Sequence, residues 1–162
     1  MSKVCYFASD APLKEKKNPY INTYSINQAI AAGINVDMDL LDGVDRDEPD
    51  VILWMENEEC SEFPSIWITE PYSEAPKSEK KYYSEIGGSP KKDLKGIVEY
   101  IQDHMKKKKC ENARDLELWY VWLGNDEEDI VEKRYSLREL TEEVLNEIFL
   151  DDDNDYKIII TR

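Results

Sequence analysis

His104 is the only histidine among 162 residues, and one imidazole narrows the chemistry open to the chain. A metal site with two histidine ligands is excluded, as is any mechanism that needs separate histidines as acid and base. His104 borders an apolar helical stripe and precedes Lys106 to Lys109, whose charges disfavour an imidazolium. No local carboxylate stands out as an orienting partner, so it reads as a helix-surface residue. Without a Gly-x-Ser-x-Gly turn, a serine or cysteine triad has no support, and no catalytic residue is assigned. Cys5, Cys60 and Cys110 are odd in number and far apart. They form neither a disulfide framework nor a Cys-x-x-Cys pair, and read as small buried apolar groups in a reducing cytoplasm.

Carboxylates are abundant, and abundance hides any catalytic pair. An acid with a raised pKa needs apolar burial. Glu117, flanked by Leu116, Leu118 and Trp119, is the best local candidate, and more simply a polar residue opening a strand. Two acidic runs invite a calcium test. Asp37, Asp39, Asp42, Asp45, Asp47, Glu48 and Asp50 surround Gly43, and Asp151, Asp152, Asp153 and Asp155 form the second run. A calcium loop of the EF-hand type needs oxygens at its first, third and fifth positions and glycine at the sixth. Counted from Asp37, Leu41 falls on the fifth position and Gly43 one place late. The register fails, so neither metal nor cofactor is expected, and no helix cap accounts for the two runs.

An anion site is the alternative chemistry. Gly87 and Gly88 lead into Ser89-Pro90-Lys91-Lys92 at a helix start. There the exposed amides, the positive helix end and two lysines all favour an anion. Gly88, Ser89, Lys91 and Lys92 are its candidate residues. The spacing is not that of a Walker loop, and a flexible turn feeding a capped helix is the simpler account.

Charge points elsewhere. Residues 77–109 hold ten lysines against five acids, while the rest of the chain holds 31 acids against 11 bases. An acidic body with one basic helix repels nucleic acid and anionic membrane and steers cationic partners toward itself. The expectation is a non-enzymatic cytoplasmic module that engages a basic protein, as an immunity or inhibitor protein does. Asp45, Asp47, Glu48 and Asp50 are the nominal contacts. A small-ligand domain at Gly87 to Lys92 and a carboxylate-based enzyme are the alternatives. No apolar run reaches the roughly 18 residues of a membrane span, and Met1 to Ala8 lacks the long apolar region of a secretory signal.

The elements that must position these residues follow from periodicity. Residues 3–8 read as a strand. Ser25 opens a short helix from Ile26 to about Ala32, which Gly33 closes. Val51 to Met55 is apolar on both alternation faces, which suits a central strand covered on both sides. Ile66 to Ile68 forms another strand, and Glu70 to Lys92 reads as a surface excursion with a short strand near Tyr82 to Ile86. Tyr72, Tyr82 and Tyr83 in that excursion are candidates for exposure at an interface.

Ser89 caps the clearest helix, with Pro90 in its first position. Leu94, Ile97, Val98, Ile101 and Met105 make its stripe. Asp115 to Leu123 is the strongest strand, and Ile130 to Tyr135 returns after a turn. Ser136 is expected to cap a helix burying Leu137, Leu140, Val144, Leu145 and Ile148, and Tyr156 to Thr161 is a last strand. Tyr24-Ser25 and Tyr135-Ser136 share one capping grammar, with Gln28 and Glu139 three residues after the serine. The order strand, strand, helix, strand thus occurs twice, at 3–56 and 115–161. Either it is a duplicated unit or common capping grammar has recurred.

The expected fold is α+β: a mixed, mostly antiparallel β-sheet carrying two main helices, with one short helix. It is read as one domain over 1–162, with halves 1–70 and 89–162 joined by the polar excursion 70–88.

Overall fold

Strand alternation explains most of the architecture in the structure, a computed structural model that describes residues 3–106, 114–124 and 129–162. In chain order the elements are β1 (Lys3–Ser9), β2 (Ile21–Tyr24), α1 (Ile26–Ala31), β3 (Ile52–Met55), β4 (Ser65–Ile68) and β5 (Tyr82–Gly87). They continue with α2 (Leu94–Lys106), β6 (Asp115–Trp122), β7 (Ile130–Ser136), α3 (Glu142–Leu150) and β8 (Asp155–Thr161). The mixed α+β class is as expected. The chain divides into two units, Met1–Lys17 with Phe63–Arg162, and Asn18–Glu62.

The larger unit is built on a six-stranded sheet in the order β4-β5-β1-β6-β8-β7. Every pair is antiparallel except β7 with β8, which are parallel and joined through α3. A parallel pair needs such a crossover. One face of the sheet presents Cys5, Phe7, Leu116, Leu118, Ile158 and Ile160, against which α2 lays Ile97, Ile101 and Met105 and α3 lays Leu145, Ile148 and Phe149. Each such fully buried side chain contributes about 1.5–3 kcal/mol. The opposite face packs Tyr6, Ala8, Trp119 and Val121 with Ala75.

Ala75 corrects the reading of residues 70–88 as a surface excursion. Ala75 and Pro76 are buried, the Tyr6 hydroxyl donates to the Pro76 carbonyl, and the Gly124 amide donates to the Glu74 carbonyl at 2.9 Å. The segment is polar because most of it faces water, yet its middle packs on the second sheet face through Ala75. Tyr72 is exposed as anticipated, whereas Tyr82 and Tyr83 are half-buried.

Two helix starts also differ from expectation. Ser89 makes no side-chain cap; a 3-10 turn over Pro90–Asp93 follows it, and Asp93 instead accepts from the Gly96 amide at 3.0 Å. Ser136 does not open α3. Glu139 accepts from the Ser136 amide at 2.8 Å, which closes a single turn, and Thr141 caps the helix through the Val144 amide. The dipole explains the choice, because a start at Thr141 puts Glu142 and Glu143 in the first turn, where carboxylates are favoured. The two strand-strand-helix-strand segments are also paired differently, β2 antiparallel to β3 and β7 parallel to β8.

The smaller unit closes on itself. Asn18 at its start donates to the Cys60 carbonyl near its end at 2.7 Å, and β2 pairs with β3 in a separate two-stranded sheet. Ser25 and Gln28 form the full capping box of α1. Gly33, at φ 77°, lets its own amide reach the Ile30 carbonyl and the Ile34 amide reach the Ala29 carbonyl, each at 3.0 Å. These two bonds make a Schellman ending, which glycine fits without strain. The double cover expected for Val51 to Met55 is absent, since Leu53 and Trp54 are exposed. Two-way apolar alternation records a demand for burial, and in this strand the fold leaves that demand unmet. Among the described residues no helix is long and apolar enough to cross a membrane. Lys107 to Lys109, Cys110, Asn125 and Asp126 lie outside the described residues.

Candidate functional site

His104 is buried, contrary to its reading as a surface residue. Its Nε2 lies 2.8 Å from the Ser9 hydroxyl, which also accepts from the Ala11 amide at 3.1 Å. A cavity of about 300 Å³ adjoins them, lined among others by Lys14, Lys16, Gly96, Tyr100 and His104. Tyr100 donates to the Lys14 carbonyl at 2.7 Å. Lys16 pairs with Asp93 at 3.1 Å directly over Gly96, where a Cβ would collide with both groups. Ser9 and His104 have the atoms of a nucleophile and a base. Ser9 is fully buried, however, and offers no surface to a substrate. The contact acts as a clasp between β1 and α2, and with its partners 95 positions apart no local pattern announces it.

Glu117 is buried but well supplied with donors. Alternation sends Leu116 and Leu118 to the helix-covered face and leaves Glu117 on the other with Trp119. The Trp119 indole donates to it at 2.9 Å, Ser78 donates to the same oxygen, and the Lys157 ammonium stands 3.6 Å from the other. These partners hold the carboxyl group in one position. They are the means by which residues 78–80 are fastened to the sheet, together with Lys80 held between Asp10 and Asp115. Cys5 is buried at the helix-covered face, and desolvation, with Glu85 nearby, pushes its thiol well above the usual range. It is unsuited to nucleophilic work.

At the Gly87 to Lys92 turn, Gly88, Ser89 and Lys91 line a cavity of about 390 Å³ together with Lys3, Trp122 and Asp152. Lys92 is not part of that lining. Asp152 places a carboxylate among the cations there. Lys3 is spent on structure: its side chain is 2% exposed, and it donates to the carbonyls of Asp151, at 2.8 Å, and of Asn154.

The 151–155 run therefore has a structural account after all. Asp151 accepts from the amides of Asp153 and Asn154, from the Asn154 side chain and from the Tyr156 hydroxyl. Those donors, Tyr156 foremost, hold its carboxyl down from 3.8 to about 2. A carboxyl whose folded pKa lies below its unfolded one stabilises the fold fully above the unfolded value. The contribution is lost as pH falls through about 2. Tyr156→Phe removes the largest cause, so an NMR titration of the variant is expected to return Asp151 toward the ordinary carboxylate range. An unchanged titration would assign the depression to the turn amides alone.

No protein-family model, curated protein or solved structure matches this chain.

The smaller unit carries charge and apolar surface together. Residues 18–62 contain eleven acids against Arg46 alone, a net of −10 of the chain's −15. Asp45, Asp47, Glu48 and Asp50 are all exposed. Three of them also shape the loop: Asp45 accepts from the Asp47 amide at 3.0 Å, Asp47 from the Asn27 side chain at 2.8 Å, and Asp50 from Thr23. Asp37 caps a 3-10 turn over Met38–Leu41. So the first acidic run has helix-cap and turn roles that its spacing did not show. Among the described residues no three His, Cys, Asp or Glu side chains converge as a metal site.

Leu40 is 82% exposed, Leu53 58% and Trp54 39%, with Tyr20, Ile30 and Met38 also exposed. These apolar members escaped the sequence reading. Their signal was present in Ile52 to Met55, an apolar strand set between acids at 45–50 and 56–59.

Proposed function

We propose that this protein is a binding module that engages a basic protein through residues 18–62, in the manner of an immunity or inhibitor protein of the cytoplasm. The observation that carries the reading is the coincidence of net charge −10 with exposed Leu40, Leu53 and Trp54 on the same unit. Apolar and aromatic side chains inside a polar rim are the usual energetic centre of a protein interface. Acids around them raise the association rate for a cationic partner and disfavour anionic ones. Neither nucleic acid nor an anionic membrane suits such a surface. Asp47 and Asp50 are held by Asn27 and Thr23, so their charge is presented from a loop tied to β2 and α1.

The test is titration of the protein against a panel of small basic proteins at low and physiological salt. Binding to at least one member, weakening with salt and competed by no polyanion-binding control, is the expected outcome. Failure to bind any cationic protein at low salt would remove the proposal.

A further inference from the structure

We propose that the outer edge of β3 is a docking edge for a β-strand of the basic partner, so that recognition adds a third strand to the β2–β3 pair. This rests on the basic-partner reading above and specifies how that partner is held.

Three observations carry it. First, β3 is apolar throughout, Ile52-Leu53-Trp54-Met55, and Leu53 and Trp54 are exposed although they point to opposite faces. A strand exposed on both faces has room for side chains of an added neighbour on each. Second, among the described residues β3 pairs only with β2, through the register Ile21↔Met55 to Tyr24↔Ile52. A two-stranded sheet is marginal in water, and a third strand is the usual minimum for independent stability.

Third, both edges of the large sheet are guarded. The β7 edge of the large sheet carries exposed Glu132, Lys133 and Arg134, which discourage strand addition. The β4 edge is met by Lys16, whose amide and carbonyl both bond Ile66 at 2.8 Å. β3 has no charge, proline or bulge in it. An apolar edge left open in a chain that protects both edges of its larger sheet is the signature of strand recognition.

Charge selects the occupant. A second copy of this chain would bring net −10 against net −10, with acids at both ends of β3. A strand with lysine or arginine at alternate positions places cations beside Asp50, Glu56, Glu58 and Glu59 while its backbone pairs with β3.

The probes are three peptides of equal length and lysine count. One alternates lysine and valine and favours an extended strand. The second has prolines at positions of both parities, so that neither of its edges offers a continuous ladder. The third mixes lysine with alanine and favours a helix. Calorimetric titration of the full chain is expected to show the alternating peptide binding at least tenfold more tightly than the other two. Trp54→Ala is expected to reduce that binding about tenfold, with circular dichroism confirming the fold.

Equal affinity for all three peptides overturns strand addition while leaving the basic-partner reading standing. Loss of binding by every peptide and every basic protein overturns both. Sedimentation of the protein alone as a dimer that Trp54→Ala dissociates would give the edge to a second copy, and would also overturn the proposal.

Discussion

Replacing Asp45, Asp47 and Asp50 by asparagine and Glu48 by glutamine is expected to slow association with a basic partner by about tenfold or more at low salt. The four positions contribute four of the eleven acids in residues 18–62. Amide replacements remove charge but keep an oxygen acceptor for each structural bond. The Asp47 amide can still donate to residue 45, the Asn27 side chain to residue 47 and Thr23 to residue 50. A change in rate therefore reports electrostatics and not a collapsed loop. Exposed charges act mainly on the encounter, so the dissociation rate is expected to move little. The difference between variant and wild type should shrink near 0.1 M salt and above, where the screening length is about 10 Å or less. Stopped-flow association measured across a salt series checks it. An association rate that is the same for both proteins at every salt concentration would place the steering surface elsewhere.

The second large effect concerns Lys3. Lys3→Met is expected to cost about 3 kcal/mol of stability at neutral pH, the low end of the range for removing one member of a buried charge pair. The Lys3 ammonium donates to the carbonyls of Asp151 and Asn154, stands 3.9 Å from the Asp155 carboxylate and lies over the Tyr120 ring at 4.7 Å. Methionine preserves the stem and its packing, so the loss measures the ammonium.

Asp155 is buried and accepts from the Trp122 amide at 3.0 Å, which ties the 151–155 turn to β6 as well as to β1. With an m-value of about 2 kcal/mol/M, the urea midpoint should fall by roughly 1.5 M. Arg134→Met is the contrast: its side chain is 67% exposed beside Glu132, and the expected loss is below about 1 kcal/mol. If Lys3→Met cost no more than Arg134→Met, the ammonium would contribute nothing beyond a surface charge.

Lys3 also shows where sequence reading ran short. A lysine at the third position, opening a strand, is ordinarily solvated. Its burial depends on a turn formed about 150 residues later in the chain. His104 repeats the lesson: its stripe neighbours Ile101 and Met105 were recognised as core, but its own burial depends on Ser9 of β1, 95 positions earlier in the chain. Glu117 looked apolar in its surroundings because Leu116 and Leu118 flank it, while alternation puts those two on the other face.

The acidic surface was legible in part. The charge of 37–50 was plain, and the structural work of its acids was not. Asp37 and Asp45 bond amides two residues away, a pattern with no spacing signature as firm as a helix cap. Asp47 and Asp50 bond side chains 20 and 27 positions away.

Composition and periodicity alone determined the α+β class, most strand positions, the stripe of α2, the capping box of α1 and its glycine ending. All of these are local, set by interactions within a few residues, so the chain declares them without help. Tertiary structure decided which strands share a sheet, that Thr141 and not Ser136 opens α3, and that residues 74–78 cover a sheet face. It also decided that β3 stands open. Those outcomes depend on which distant surfaces compete for one apolar face. Periodicity records the demand for burial; the assembled sheet decides which demands are met, and β3 keeps the one that residues 18–62 carry to the surface.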